Sequence, residues 1–429
     1  MNTGAITLLL GGFAFLVLIR VPIAFALGIS AVTTAFYLDI PMALMAQGMV
    51  RGINSFALLA IPFFILAGEI MGEGGICQRL IAFSNAIVGR IRGGLALVNV
   101  LASMFFGGIS GSSVADTSAV GSMLIPMMKE KGYDADYAVA VTITGSTQGI
   151  LIPPSHNMII YSMVAGGVSV GGLFLAGIVP GVFLGLALML MSYIIAVKRN
   201  YPAGERVSWK DALSATKDAA LGLFTAVIVV GGVVTGLYTA TESAAIAAIY
   251  AFFVSFFVYR HVPLSHMRTI LMKSLRTLAI VMALIATSSA FGWMLAYLKV
   301  PALATQTLLS ISDNKYVILL VLNALLLFLG CIMDMAPLIL ITTPILLPVA
   351  TKIGVDPIHF GIIMMLNLSI GLLTPPVGST LFVGCAIGNI SIEKLSRTMI
   401  PFYATMIAVL LLITYVPELV MFIPKLLMK

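Results

Sequence analysis

Uncharged apolar runs follow one another along nearly the whole chain, Leu184–Val197 and Ile407–Val416 among them. A bilayer core about 30 Å thick takes ~20 such residues per crossing helix, and lipid offers no partner to an open backbone. Strands of a membrane barrel alternate apolar and polar residues; these runs do not, so the spans are read as helices. Only 9% of the 429 residues are charged against 60% apolar, too little charge to cover a soluble surface. The chain therefore reads as one all-α polytopic membrane domain. Its first run, Gly4–Ile19, has no basic residue before it and no cleavage site leading into a hydrophilic region, so a retained helix is expected there.

The net charge of +7 could point to nucleic acid, but the basic residues sit in short loops, as cytoplasmic loops require. No nucleic-acid partner is expected. Three basic loops, Arg79–Arg92, Lys198–Lys217 and Arg260–Arg276, are assigned to the cytoplasm. The segment Gly93–Met128 runs from one basic loop to another, Lys129-Glu130-Lys131, and so has to enter and leave on one side. That describes a re-entrant hairpin with its tip near Ser110–Ser113. Cys77, Cys331 and Cys385 are isolated, without metal-ligand spacing, and read as small buried apolar residues.

The chain resembles itself. Gly149-Ile150-Leu151-Ile152-Pro153-Pro154 is similar to Gly371-Leu372-Leu373-Thr374-Pro375-Pro376, an offset of 222 residues. The same offset aligns Leu124-Ile125-Pro126 with Leu346-Leu347-Pro348 and Gly132-Tyr133-Asp134 with Gly354-Val355-Asp356. Phe106–Ile109 aligns with Leu329–Ile332 after a one-residue gap. Two related halves follow, 1–200 and 222–429, joined by a cytoplasmic connector at 201–221. Passes at about 218–238 and 243–259 turn outside at Thr239–Glu242. The second hairpin, about 316–349, then opens to the opposite side from the first, about 93–128. Each half has five crossings and one hairpin, ten crossings in all, and the halves are inverted.

Inverted repeats with broken helices put a binding site at the breaks, near mid-membrane. Two prolines in a row remove amide donors and push the preceding residue out of the helix. Carbonyls freed at membrane depth need a partner, either a neighbouring helix or a cation. The first tip, Gly108-Ile109-Ser110-Gly111-Ser112-Ser113-Val114-Ala115-Asp116-Thr117, offers hydroxyl and carbonyl oxygens of the kind a hard cation such as sodium takes. Ser112 and Ser113 can also donate to a carboxylate, helped by the N-terminal end of the next helix. The second tip, Cys331–Pro337, again carries an acid, Asp334. Sodium is expected at Ser110, Ser112, Ser113, Gly145 and Gly149 in one half. In the other it is expected at Gly330, Asp334, Asn367, Gly371 and Thr374. The organic acid is expected at Ser112, Ser113, Asp116, Ser155, His156, Asn157, Gly378, Ser379 and Thr380. Asp116 reads equally as a helix cap, and His156 as a structural histidine. Glu69, Glu73 and Glu242 are further acids within or beside the spans, and Trp293 reads as packing.

These stretches resemble the large membrane subunit of the TRAP transporters (tripartite ATP-independent periplasmic transporters), the DctM-like family. Gly108–Thr117, Gly330–Asp334, Asn367–Gly378 and the earlier Leu59–Glu69 carry the likeness, which covers essentially the whole chain. The resemblance implies an elevator-type ion-transporter fold in the bacterial inner membrane and import driven by sodium as coupling ion, with no other cofactor. It also implies a separate small four-helix (DctQ-like) membrane subunit and a periplasmic substrate-binding (DctP-like) protein as partners. Implied substrates are carboxylates such as C4-dicarboxylates, sugar acids and sialic acid, the last favoured by the tip followed by Ile152–Asn157.

Three other readings compete. Gly108-Ile109-Ser110-Gly111 matches the motif of rhomboid-like intramembrane serine proteases, with His156 as base, but that reading explains neither the repeat nor the second break. An open channel would draw its axis from several subunits, whereas here one chain carries its own opposed pair of sites. A stand-alone sodium/dicarboxylate carrier differs only in its partners. No phosphate-binding G-x-x-x-x-G-K-[ST] loop is present, which argues against direct ATP drive.

Overall fold

The computed structural model describes residues 2–204 and 207–428, and every helix or strand named within them is a helix. The first hairpin consists of helices Gly94–Ser110 and Ser113–Glu130, the second of Lys315–Ile332 and Met335–Lys352. These helix pairs occupy the segments about 93–128 and 316–349.

The double prolines break their helices as their chemistry requires. Ala135–Leu151 stops short of Pro153 and resumes as His156–Val164; Pro357–Gly371 stops short of Pro375 and resumes as Ser379–Gly388. Both Pro–Pro peptide bonds are cis. The two broken helices form the innermost layer, since every residue from Asp136 to Leu151 and from His359 to Gly371 is buried. Large apolar side chains such as Phe25, Leu186, Ile249 and Phe328 are exposed on surrounding helices, the pattern of a surface solvated by lipid.

Helix Ile392–Tyr415, about 36 Å long at the usual rise, runs from one end of the bundle to the other. Near its start Thr398 donates to Asp136 (2.6 Å), which also meets Arg199 (3.2 Å). The base of the first hairpin lies at this end, just before Asp134, whose carboxylate pairs with Arg199 at 3.0 Å. Near the other end of the long helix the Ile413 carbonyl bonds His359, and Tyr415 donates to the Tyr316 carbonyl at the base of the second hairpin. The two hairpins thus enter the bundle from opposite ends, with their tips directed inward.

Two short helices lead into the hairpins. Helix Ala60–Glu73 turns by 68° at Gly74–Gly75 into Ile76–Val88; Met267–Tyr297 turns at Lys299 into Val300–Leu309. Gly75 and Lys299 both take a left-handed backbone (φ 81° and 56°). Among the described residues seven helices are long and apolar enough to cross a membrane alone, two of them the arms of the second hairpin, Lys315–Ile332 and Met335–Lys352, and eight if the bent pair Ala60–Val88 is one span. Other expected crossings fall on shorter helices, Thr3–Leu18 and Ile23–Tyr37, and on the two broken ones.

Candidate ion and substrate site between the hairpin tips

At the first tip the backbone reverses through Gly111, where φ is +63° and an added Cβ would lie 2.9 Å from the Pro154 carbonyl oxygen. Only glycine combines that conformation with so close an approach. The hairpin tip is therefore seated directly on the helix break. Below it, Gly107 and Gly149 touch backbone to backbone: a Cβ on Gly149 would sit 2.4 Å from Gly107 Cα. The second half has the same contact, with a Cβ on Gly371 2.5 Å from Gly330 Cα. The glycines singled out by sequence at 149, 330 and 371 are thus where hairpin and broken helix meet.

A cavity of about 980 Å³ opens beside the tips. Its wall includes Ser110 and Ser112–Ala115 of the first tip, His156 and Asn157 after the first break, and Asp334–Ala336 of the second tip. Three helices start at this wall. Ser112 caps one, with its Oγ accepting from the Ala115 amide (3.4 Å); Ser155 precedes another; Asp334 caps the third, accepting from the Met335 amide (2.9 Å). Free amides and the positive ends of helix dipoles favour an anion there.

Asp116 lies elsewhere than its place among the substrate residues suggested. It is fully buried and absent from the cavity wall. Its Oδ1 accepts from the Ser110 hydroxyl, while Oδ2 has no partner and sits in the notch between Gly107 and Gly149. Ser155 Oγ is likewise buried and unpartnered. Gly378 and Thr380 are buried outside the wall, and Ser379 reaches Asp334 Oδ1 at 3.4 Å.

The remaining expected sodium ligands have the following surroundings. Asn367 donates to Asn323 (2.7 Å) and to the Ile363 carbonyl (2.9 Å), and Thr374 back-bonds to Ile370 (2.8 Å). Gly145 faces Val100 and Ser103, one turn below the level of Gly149. Asn367 Oδ1, by contrast, is buried without a partner, so that oxygen stays open to a cation.

Sequence places Thr117 in the first tip and Ser146 in the polar stretch before the first break without giving either a role of its own, and the structure makes Ser146 a hub. Ser146 Oγ donates to the Ile143 carbonyl (2.8 Å) and accepts from Thr117 (2.8 Å) and Ser113 (2.8 Å). Thr380 in turn donates to Ser113 (3.2 Å), so one chain of hydroxyls joins the second broken helix to the first hairpin. The signal was present: Ser113 and Thr117 are four apart on one helix face, and Ser146 lies inside the polar stretch 145–149. Ser146→Ala leaves two buried hydroxyls without their acceptor. A lowered melting temperature of the detergent-solubilised protein is expected, equivalent to about 1–3 kcal/mol.

The comparisons with known proteins agree with this architecture. The family model for the tripartite ATP-independent periplasmic transporter, DctM component, matches residues 10–419. YgiK of Salmonella typhimurium, an uncharacterised protein, is 43% identical over 98% of this chain and 97% of its own. The isethionate TRAP transporter permease DctMQ of Oleidesulfovibrio alaskensis is 41% identical over 96% of this chain, which spans 65% of that longer relative. The sialic acid TRAP transporter large permease SiaM of Vibrio cholerae is 40% identical over 89% of each chain. In structure the chain is similar to the YdaH transporter of Alcanivorax borkumensis (TM-score 0.58, 15% identity, 85% of this chain and 88% of that one), a likeness of fold. The DctMQ and SiaM relatives are transport permeases, which removes the protease alternative at Ser110 and His156, and Ser110 already donates its hydroxyl to Asp116. Hairpin tips seated on paired helix breaks, in a multi-pass membrane chain matched from residue 10 to 419, are accounted for together: the chain belongs to the DctM family, the large permease components of TRAP transporters.

Proposed function

We propose that this chain is the sodium-coupled large permease subunit through which a tripartite transporter imports a small organic acid across a bacterial inner membrane. The observation that carries the substrate class is the convergence of three helix starts, at Ser112, Ser155 and Asp334, around one cavity. Such a wall suits a carboxylate or sulfonate, and relatives named for sialic acid and isethionate take one of each. Sodium is supported by the half-partnered Asp116 carboxylate beneath the first tip and by backbone oxygens freed at both breaks.

The mechanism is a moving body. Hairpins and broken helices form a unit, the repeats 1–200 and 222–429 are inverted, and the bends at Gly75 and Lys299 are the joints on which that unit rises and falls between the two faces. The wall also takes in His261, His266 and Lys273 of the basic segment Arg260–Arg276, so the cavity faces the side that carries dense positive charge, the cytoplasm. A small membrane subunit and a periplasmic binding protein complete the transporter, in keeping with a DctMQ relative longer than this chain.

Reconstitution tests the reading. The chain, copurified with its small subunit, is placed in proteoliposomes, and binding protein loaded with labelled acid is added outside. Uptake that needs both the binding protein and an inward sodium gradient is expected. Sodium-driven uptake indifferent to the binding protein would instead mark a stand-alone carrier. Replacing both Ser112 and Ser113 by Ala removes a helix cap and a hydroxyl from the tip, and should raise the sodium concentration for half-maximal uptake about tenfold, at 1.4 kcal/mol per decade. Unchanged sodium dependence would take the first tip out of the site.

A further inference from the structure

The cavity wall continues past the tips to Glu69, Glu73, His261, His266 and Lys273. Among the described residues of that wall, Lys273 is the one lysine or arginine. An organic anion between tips and mouth therefore meets one full positive charge, and a carboxylate already holds it. Glu73 accepts from Lys273 through Oε1, while Oε2 lies 3.4 Å from His266 Nε2. The three side chains are 31–50% exposed, so water reaches the pair. Exposed ion pairs of this kind are weak and exchange readily. Glu73 is also the last residue of its helix, directly before the 68° turn at Gly74–Gly75.

We propose that Lys273, with His266 beside it, is a second anion station in the cavity, where the substrate's carboxylate or sulfonate displaces Glu73 on its way between the tips and the mouth. The inference rests on the reading of the cavity as the substrate's route. Glu73 is then a tethered stand-in for the substrate. It keeps Lys273 neutralised when the cavity holds only water, and it competes with the anion that arrives. Exchange of one carboxylate for another conserves charge and hydrogen bonds, so the step is close to balanced and the anion is not trapped.

The competing account is a structural tie between helices Ala60–Glu73 and Met267–Tyr297, and the two differ in sign. In proteoliposomes containing the chain and its small subunit, exchange of labelled N-acetylneuraminate, succinate and isethionate is measured with acid presented at each face. Lys273→Gln should raise KM at the face of the mouth about fivefold. Glu73→Gln takes the bonded carboxylate from the lysine, leaving only the more distant charge of Glu69, and should lower that KM about threefold. Neither should move KM at the opposite face by more than about twofold. A structural tie gives both variants the same lowered maximal rate, with no KM split between faces, and would overturn the proposal. Labelling of the purified protein tests the station without transport. Isethionate should slow acylation of the Lys273 amine, read by mass spectrometry, and more strongly in Glu73→Gln. Absence of protection there overturns the station even if exchange succeeds. Protection without exchange of any of the three acids keeps the station and overturns the transport reading instead.

Discussion

Asp116→Asn is expected to lower sodium-driven uptake by about two to three orders of magnitude while leaving the protein folded, taking the 3–5 kcal/mol that a removed partner of a buried charge costs as the scale. The carboxylate is fully buried at the depth of the first tip. Ser110 satisfies Oδ1; Oδ2 lies against the two glycines, where added methyl carbons would come within 2.7 and 2.6 Å of it, and has no donor. A carboxylate left half-satisfied in an apolar interior costs several kcal/mol. A cation or a proton has to meet it, and sodium bound between tip and break would do so. Asparagine keeps the volume and the oxygen that Ser110 needs, and loses the charge. Sodium-dependent thermal stabilisation of the purified protein should vanish in the variant, while its melting temperature without sodium should hold or rise. Retained sodium stabilisation would remove Asp116 from the ion site. Uptake that persists but becomes independent of external pH would assign the residue to a proton instead.

The features legible in the sequence were those whose causes are local. Pro153-Pro154 and Pro375-Pro376 break their helices wherever they stand, so both breaks were placed correctly. Gly111 and the serines around it announce a reversal, and the chain does turn between helices there, as it does between Lys315–Ile332 and Met335–Lys352. What escaped depends on partners far away in the chain. Ser146 matters because Thr117, 29 residues away, and Ser113, 33 away, point at it; Thr380 joins the chain across 267. Glu73 meets Lys273 across 200 residues. The Asn367 amide nitrogen turns to Asn323 on the neighbouring hairpin helix, 44 residues away, and leaves its Oδ1 buried without a partner. Asp116 was grouped with the substrate because an ionisable residue at membrane depth is a functional candidate. Helix geometry carries it one turn inside, behind Ser110 and out of the cavity.

Gly149→Ala and Gly145→Ala make the same change one turn apart on one helix, and opposite outcomes are expected. At Gly149 the new methyl would overlap Gly107 Cα at 2.4 Å and the Asp116 carboxylate at 2.6 Å. The obstacle at Gly107 is backbone, which cannot rotate away, so the hairpin itself has to shift. Overpacking of this kind costs about 1–3 kcal/mol or more. The displaced tip also loses register with the break that supplies its oxygens. Uptake below about a tenth of wild type is therefore expected, together with a lower melting temperature, on the scale of 1.4 kcal/mol per decade. At Gly145 the nearest atoms, Val100 Cα and Ser103 Oγ, are 3.4 Å from the same methyl, an ordinary contact. Alanine is the better helix former by roughly 1 kcal/mol, so this variant should be as stable as wild type or more so. Gly371→Ala repeats the severe case in the second half, with Gly330 Cα at 2.5 Å. If each half holds an ion between hairpin and break, Gly149→Ala and Gly371→Ala should each weaken sodium dependence, whereas Gly145→Ala should not. Equal tolerance at 145 and 149 would mean that hairpin and broken helix are not pressed together in the working protein, and the ion site at their junction would go with that contact.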